Sequence, residues 1–171
     1  YLASAGPSYC IDSVEVDGFD NVTIGKGVKF NLTSQQVNGI LRLKNCDNFT
    51  TKGVKYRGTG VSITLFSGFQ NHAIYASDCD GFKARDCEVY DMTSGGFLVR
   101  DSKRVRFLNN YLHDNLDMFD IALGYGTTDV ALDDAKIIGN HCFSPNQFGI
   151  HVQGYGKNLK IIDNEVRGKA G

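Results

Sequence analysis

Asp117 and Asp120 stand three residues apart, with Arg100 upstream and His151 downstream. Two carboxylates flanking a scissile bond are what acid–base cleavage of a glycosidic linkage requires. A guanidinium such as Arg100 can neutralise a substrate carboxylate, and His113, His151 or Tyr155 is suited to moving a proton. The plain alternative is that these Asp and His residues fill a polar turn and bind nothing. A second group recurs more regularly: Lys83, Arg106, Lys136 and Lys160. Four like charges brought to strand spacing repel by roughly 1 kcal/mol per near pair in water before salt screening. Acidic neighbours or an acidic partner must offset them. They form either a track for an anionic glycan or a solvated face that deters strand-edge aggregation.

Other chemistries lack their residues. No Cys or His spacing matches a zinc site. Gly124-Tyr125-Gly126 and Gly154-Tyr155-Gly156 are turns that do not complete a dinucleotide fingerprint, and no phosphate loop or nucleophile elbow is present. No metal or cofactor is therefore expected. Eighteen Lys plus Arg against 19 Asp plus Glu leave the chain near neutrality, which argues against a general nucleic-acid binder. No apolar run approaches the roughly 18 residues of a membrane span.

The elements that must position these side chains form a repeat. Phe97-Leu98-Val99-Arg100 and Val105-Arg106-Phe107-Leu108 alternate with period two, the signal of a strand. Residues expected to point inward recur at Leu41, Ile74, Phe97, Ile121 and Ile150, at steps of 33, 23, 24 and 29 residues. Second strands start near Val22, Phe49, Phe82, Val105, Ala135 and Leu159, and third strands bring in Val89, Leu112, Cys142 and Val166. Cys87, Asn110, Asn140 and Asn164 share the column between them. A unit this small cannot bury its own apolar face, but stacked units can. Asn tolerates a left-handed turn, and its amides can bond from one copy to the next. The pattern predicts an all-β parallel β-helix of about six coils. A β-sandwich would have no reason to repeat Asn at this interval.

At Gly39-Ile40-Leu41-Arg42-Leu43-Lys44-Asn45-Cys46-Asp47-Asn48-Phe49-Thr50 and Asn158-Leu159-Lys160-Ile161-Ile162-Asp163-Asn164-Glu165-Val166 the chain resembles the right-handed parallel β-helix proteins of the pectate-lyase-like superfamily. The likeness runs over about residues 14–168. It implies a single right-handed β-helix domain over residues 1–171, with residues 1–13 as a small irregular N-terminal cap. Superfamily enzymes commonly hold substrate beside the first strand. The resemblance thus implies a groove lined by Asp117, Asp120, Arg100 and His151. Tyr75 and Tyr155, with the basic column, would then serve as substrate contacts. The hydrolases' paired-Asp and Gly-His-Gly signatures are not met, since Phe119-Asp120-Ile121 and Phe148-Gly149-Ile150 occupy the comparable places. The epimerases' Asp-Pro-His motif is missing too.

Because this fold hosts many activities, it does not choose one. The expected partner is a polysaccharide, and the first reading is recognition of an acidic glycan with cleavage by a lyase or hydrolase mechanism. The other is a non-catalytic structural or adhesion module, such as part of a phage tailspike or tail fibre. There the protein would be a homotrimer or part of a larger assembly. Either implies an extracellular or virion-surface location. Leu65, Phe66 and Phe69 in the insertion 59–70 would meet a neighbouring chain, and Gly124 to Asp129 would project as a loop. After the last coil only Lys169-Ala170-Gly171 remains, so a chain continuation or another chain is expected to cover that end. The five Cys are expected mainly as small buried hydrophobes, with a Cys46–Cys79 bridge left open. Asn21, Asn31 and Asn48 match the glycosylation sequon but also suit turns and strands.

Overall fold

The computed structural model describes residues 8–11, 13–33, 39–61, 71–116, 119–124, 132–143 and 148–168. Among them the regular elements are nineteen short strands, which stack in parallel into three sheets. The first sheet holds β2 (Val14–Asp17), β5 (Leu41–Lys44), β8 (His72–Ser77), β11 (Gly95–Arg100), β14 (Phe119–Leu123) and β17 (Phe148–Val152). The second holds β3 (Thr23–Ile24), β6 (Thr50–Lys52), β9 (Lys83–Arg85), β12 (Arg106–Leu108), β15 (Lys136–Ile138) and β18 (Lys160–Ile162). The third holds β1 (Ser8–Ile11), β4 (Lys29–Leu32), β7 (Lys55–Arg57), β10 (Glu88–Tyr90), β13 (Tyr111–His113), β16 (His141–Phe143) and β19 (Glu165–Val166). Each strand pairs with its copy one coil away, which makes a parallel β-helix.

The register follows the apolar columns. Leu41, Ile74, Phe97, Ile121 and Ile150 are paired in succession, as are Val89, Leu112, Cys142 and Val166. A one-residue slip would turn each inward set to solvent, so burial fixes the register. Val99, Val105, Phe107 and Leu112 are fully buried around one coil. Aromatic rings form a spine inside: Phe49 on Phe82 at 6.4 Å, Phe82 on Phe107 at 5.8 Å and Phe97 on Phe107 at 5.4 Å. The Tyr56 hydroxyl and Thr51 Oγ1, 2.7 Å apart, satisfy each other in this interior. Burial keeps the phenol protonated far above its ordinary range.

Turns are built by residues that accept a left-handed backbone. Asp86, Asn109 and Asp163, with Gly53 and Gly139, take positive φ between the second and third strands. Asn110, Asn140 and Asn164 follow them. Asn140 Oδ1 accepts from the Asn110 backbone N–H at 3.0 Å and from Asn110 Nδ2 at 2.9 Å. Asn140 Nδ2 donates to Asn164 Oδ1 at 2.9 Å and to the Phe107 carbonyl at 3.0 Å. In the same column Cys87 N–H donates to Asn110 Oδ1 at 3.0 Å.

One expectation changes and one open question closes. Residues 8–11 are not irregular, because β1 pairs with β4 as a strand of the third sheet. Cys46, Cys79, Cys87 and Cys142 are buried free thiols, so Cys46 and Cys79 are not bridged. Cys46 and Cys79 donate to the carbonyls of Lys44 and Ser77 two residues back, and Ser102 does the same to Arg100. The column is thus a repeated turn device that a thiol or a hydroxyl can fill. Residues 62–70 and 125–130, where the projecting loops were expected, lie outside the described residues. At the far end the inward Ile161 and Val166 are about half exposed, at 48% and 49%.

Candidate functional site

The outer face of the first sheet carries two columns set by the pairing. Arg42, Tyr75, Leu98, Ala122 and His151 form one, and Lys44, Ser77 and Arg100 the other. Arg42 pairs with Glu15 at 2.9 Å. Arg100 Nη1 donates to the Tyr75 hydroxyl at 3.4 Å, and its guanidinium lies 5.5 Å from the Tyr75 ring centre. Glu15, Arg42, Lys44, Tyr75 and Ser77 enclose a hollow of about 40 Å³, enough for little more than a water. Further along, Leu98, Phe119 and Ala122 are buried although they face outward, with Tyr75 packed against them.

His72 completes this face, and sequence reading passed over it. It shares a column with Gly95, Phe119 and Phe148. Its ring stacks on Phe119 at 5.3 Å and 10°, two coils away, across Gly95. A Cβ on Gly95 would come within 3.0 Å of the Phe119 ring and 2.2 Å of its carbonyl oxygen, so only glycine lets the rings meet. His72 is fully buried and, among the described residues, neither ring nitrogen has a hydrogen-bond partner in bonding geometry. Desolvation, then the Arg100 charge, lower its pKa to about 3, against a weak opposing pull from the Gly95 backbone. The imidazole is neutral at pH 7. Its signal in the sequence was its place two residues before the inward Ile74.

Of the four residues expected to share one groove, the three that are described, Arg100, Asp120 and His151, do not line one face. Asp117 lies outside the described residues. Asp120 is fully buried and accepts from Asn115 Nδ2 at 2.7 Å. Its position is inward: a Cβ on the equivalent Gly96 or Gly149 would strike the inward side chains of Leu112 or Val166. Burial is the main reason the nearby Cys142 thiol is pushed up beyond its ordinary range, with the Asp120 charge adding to it. Arg100 and His151 do face outward on the first sheet, two coils apart, or about 10 Å along the axis. Tyr155 is 62% exposed beyond β17. His113 sits on β13 in the third sheet.

The basic column is assembled as expected. Thr23, Thr50, Lys83, Arg106, Lys136 and Lys160 pair in unbroken succession across the second sheet. Arg106 bonds the carbonyls of Val105 and Asp134. Lys83, Lys136 and Lys160 form no ion pair among the described residues. Arg85, on the same sheet, lies 3.6 Å from Asp86.

A family model described as a right handed beta helix region matches residues 10–171. The chain belongs to that right-handed β-helix family. A crystal structure from Parabacteroides merdae ATCC 43184, named as a "putative glycosyl hydrolase", aligns with a TM-score of 0.57 and 15% identity. The alignment covers 95% of this chain and 78% of that one. At that identity the likeness to this second β-helix speaks for the fold alone. A search of curated proteins gives no match for this β-helix. Among its described residues no helix is long and apolar enough to cross a membrane.

Proposed function

We propose that this β-helix recognises an acidic polysaccharide along the outer face of its second sheet. The observation that carries the proposal is the register of Lys83, Arg106, Lys136 and Lys160, one cation on each of four consecutive strands. Strands stand about 4.8 Å apart. An extended glycan laid across them advances by a similar length per sugar, so one cation can meet one carboxylate or sulfate in each residue. None of the four cations has a carboxylate partner among the described residues, which leaves their charge available. The guanidinium of Arg106 is braced by two carbonyls and so is held in place before binding.

The deciding experiment is affinity electrophoresis through gels containing polygalacturonate or alginate at several salt concentrations. Retardation should fall as salt rises, and a Lys136→Ala, Lys160→Ala double variant should be retarded less and show a flatter salt dependence. Equal retardation of the parent and the double variant would leave only the solvated-face explanation. Reducing-sugar and unsaturated-uronate assays on the same polymers separate a binding module from a hydrolase or a lyase.

A further inference from the structure

The third sheet carries a different surface, which the proposed acidic-glycan track does not use. Its outward residues on β10, β13 and β16 are Glu88 and Tyr90, Tyr111 and His113, and His141 and Phe143, paired strand to strand. The His113 ring stacks on Tyr90, at 5.2 Å and 5°, and on Tyr111, at 4.5 Å and 25°. Its Nδ1 lies 2.7 Å from Asp114 Oδ2 and its Nε2 3.4 Å from Glu88 Oε1. Phe143 meets Tyr111 edge-on at 5.7 Å. Guanidinium groups close the row, Arg57 at 5.9 Å from the Tyr90 ring centre and Arg167 at 5.1 Å from that of Phe143. Tyr111 is nevertheless 42% exposed in the middle of the sheet.

We infer that this face is a second carbohydrate-binding surface, and that its ligand is a neutral glycan. Stacked neighbours already fix these rings, so little side-chain freedom is lost when a sugar ring packs against them. Aromatic bodies offer apolar contact to sugar C–H groups. The charge pattern selects the ligand. Lys55 is paired with Glu88, Arg57 with Asp91 at 3.2 Å and Arg167 with Glu165, so among the described residues from β7 to the end of the sheet no lysine or arginine of the face is left over for a polyanion. Asp114 adds a further carboxylate, and a uronate or sulfated chain would meet repulsion there. The paired carboxylates and guanidinium groups instead offer fixed acceptors and donors for hydroxyl groups. The face recurs once per coil, at about the length of one sugar residue.

The test is affinity electrophoresis in gels of mixed-linkage β-glucan and of xylan, both neutral, with polygalacturonate as the acidic control. The parent should be retarded by at least one neutral polymer, with little change as salt rises. Tyr111→Ala should weaken that retardation about tenfold, Tyr111→Phe should retain it, and both should keep the parent's thermal midpoint within a few degrees. The Lys136→Ala, Lys160→Ala double variant should bind neutral polymer as the parent does. Loss of the acidic-glycan track therefore leaves this result standing, and the reverse holds too. No neutral retardation of the parent, or equal retardation of parent and Tyr111→Ala, overturns the inference. So does a Tyr111-dependent dimer in sedimentation without glycan binding, since the face would then hold a second copy of the chain.

Discussion

Replacing His72 with Leu should remove a defined part of the protein's acid sensitivity. The folded imidazole titrates at about 3 and an unperturbed one at 6.5. Below pH 6.5 the unfolded chain therefore takes up a proton that the folded chain refuses. Stability from this group is whole above pH 6.5 and falls as the pH drops toward 3. Each pH unit in that window costs about 1.4 kcal/mol. Between pH 7 and pH 5 the loss comes to about 2 kcal/mol, in a range where most carboxylates are still ionised. Leu has no proton to refuse. It also replaces a ring whose nitrogens have no hydrogen-bond partner in bonding geometry among the described residues, so at pH 7 the variant should lie within about 1 kcal/mol of the parent. Urea unfolding of both proteins at pH 7 and pH 5, with matching m-values, measures the difference. The parent should lose about 2 kcal/mol more than His72→Leu over that interval. Equal losses would show that His72 is hydrated or protonated in the folded state, and the account of the first-sheet face would fail with it.

Other outcomes follow from the same geometry. Phe107→Ala, which empties the centre of the aromatic spine, should cost roughly 3–5 kcal/mol in urea unfolding. Hydrogen exchange should show the damage first in the adjoining coils, because stability in a stacked repeat passes between neighbours. Asn140→Ala strands the Asn110 N–H and the Phe107 carbonyl and should cost roughly 2–5 kcal/mol by the same assay. Gly95→Ala places a methyl group against the Phe119 ring and carbonyl. It should lower the thermal midpoint by several degrees, whereas Gly18→Ala meets no neighbour and is strained only by its positive φ.

The fold was legible because a parallel β-helix writes each contact into the chain more than once. Ile74, Phe97 and Ile121 are the same position three times, so a period-two pattern that is ambiguous in one coil is settled by its copies. The Asn column was legible for the same reason, and the basic column needed only the register. Surface chemistry between sheets was harder. His113 follows Leu112 in a run that reads equally well as strand or turn entry. Its stacking with Tyr90 depends on a partner 23 residues away whose outward direction only the pairing fixes.

Asp120 shows where column reasoning fails. Alternation from the inward Ile121 sends residue 120 outward, and Gly96 and Gly149 at the same place do not object, since glycine has no side chain to reveal a direction. Ala73 does reveal it, being buried with the core. The pairing between β11 and β14 joins Gly95 to Phe119 and Phe97 to Ile121 while Gly96 and Asp120 are not joined. At that corner two successive residues, Asp120 and Ile121, both turn inward. A carboxylate can occupy the interior there because glycines stand above and below it and Asn115 supplies a donor. Asp120→Asn therefore tests a buried hydrogen bond. It keeps the shape, but if the amide turns its NH₂ toward Asn115 two donors face each other. The change should reduce stability by roughly 1–3 kcal/mol and leave both glycan retardations unchanged. Loss of binding with stability intact would return Asp120 to the surface chemistry that its sequence position suggested.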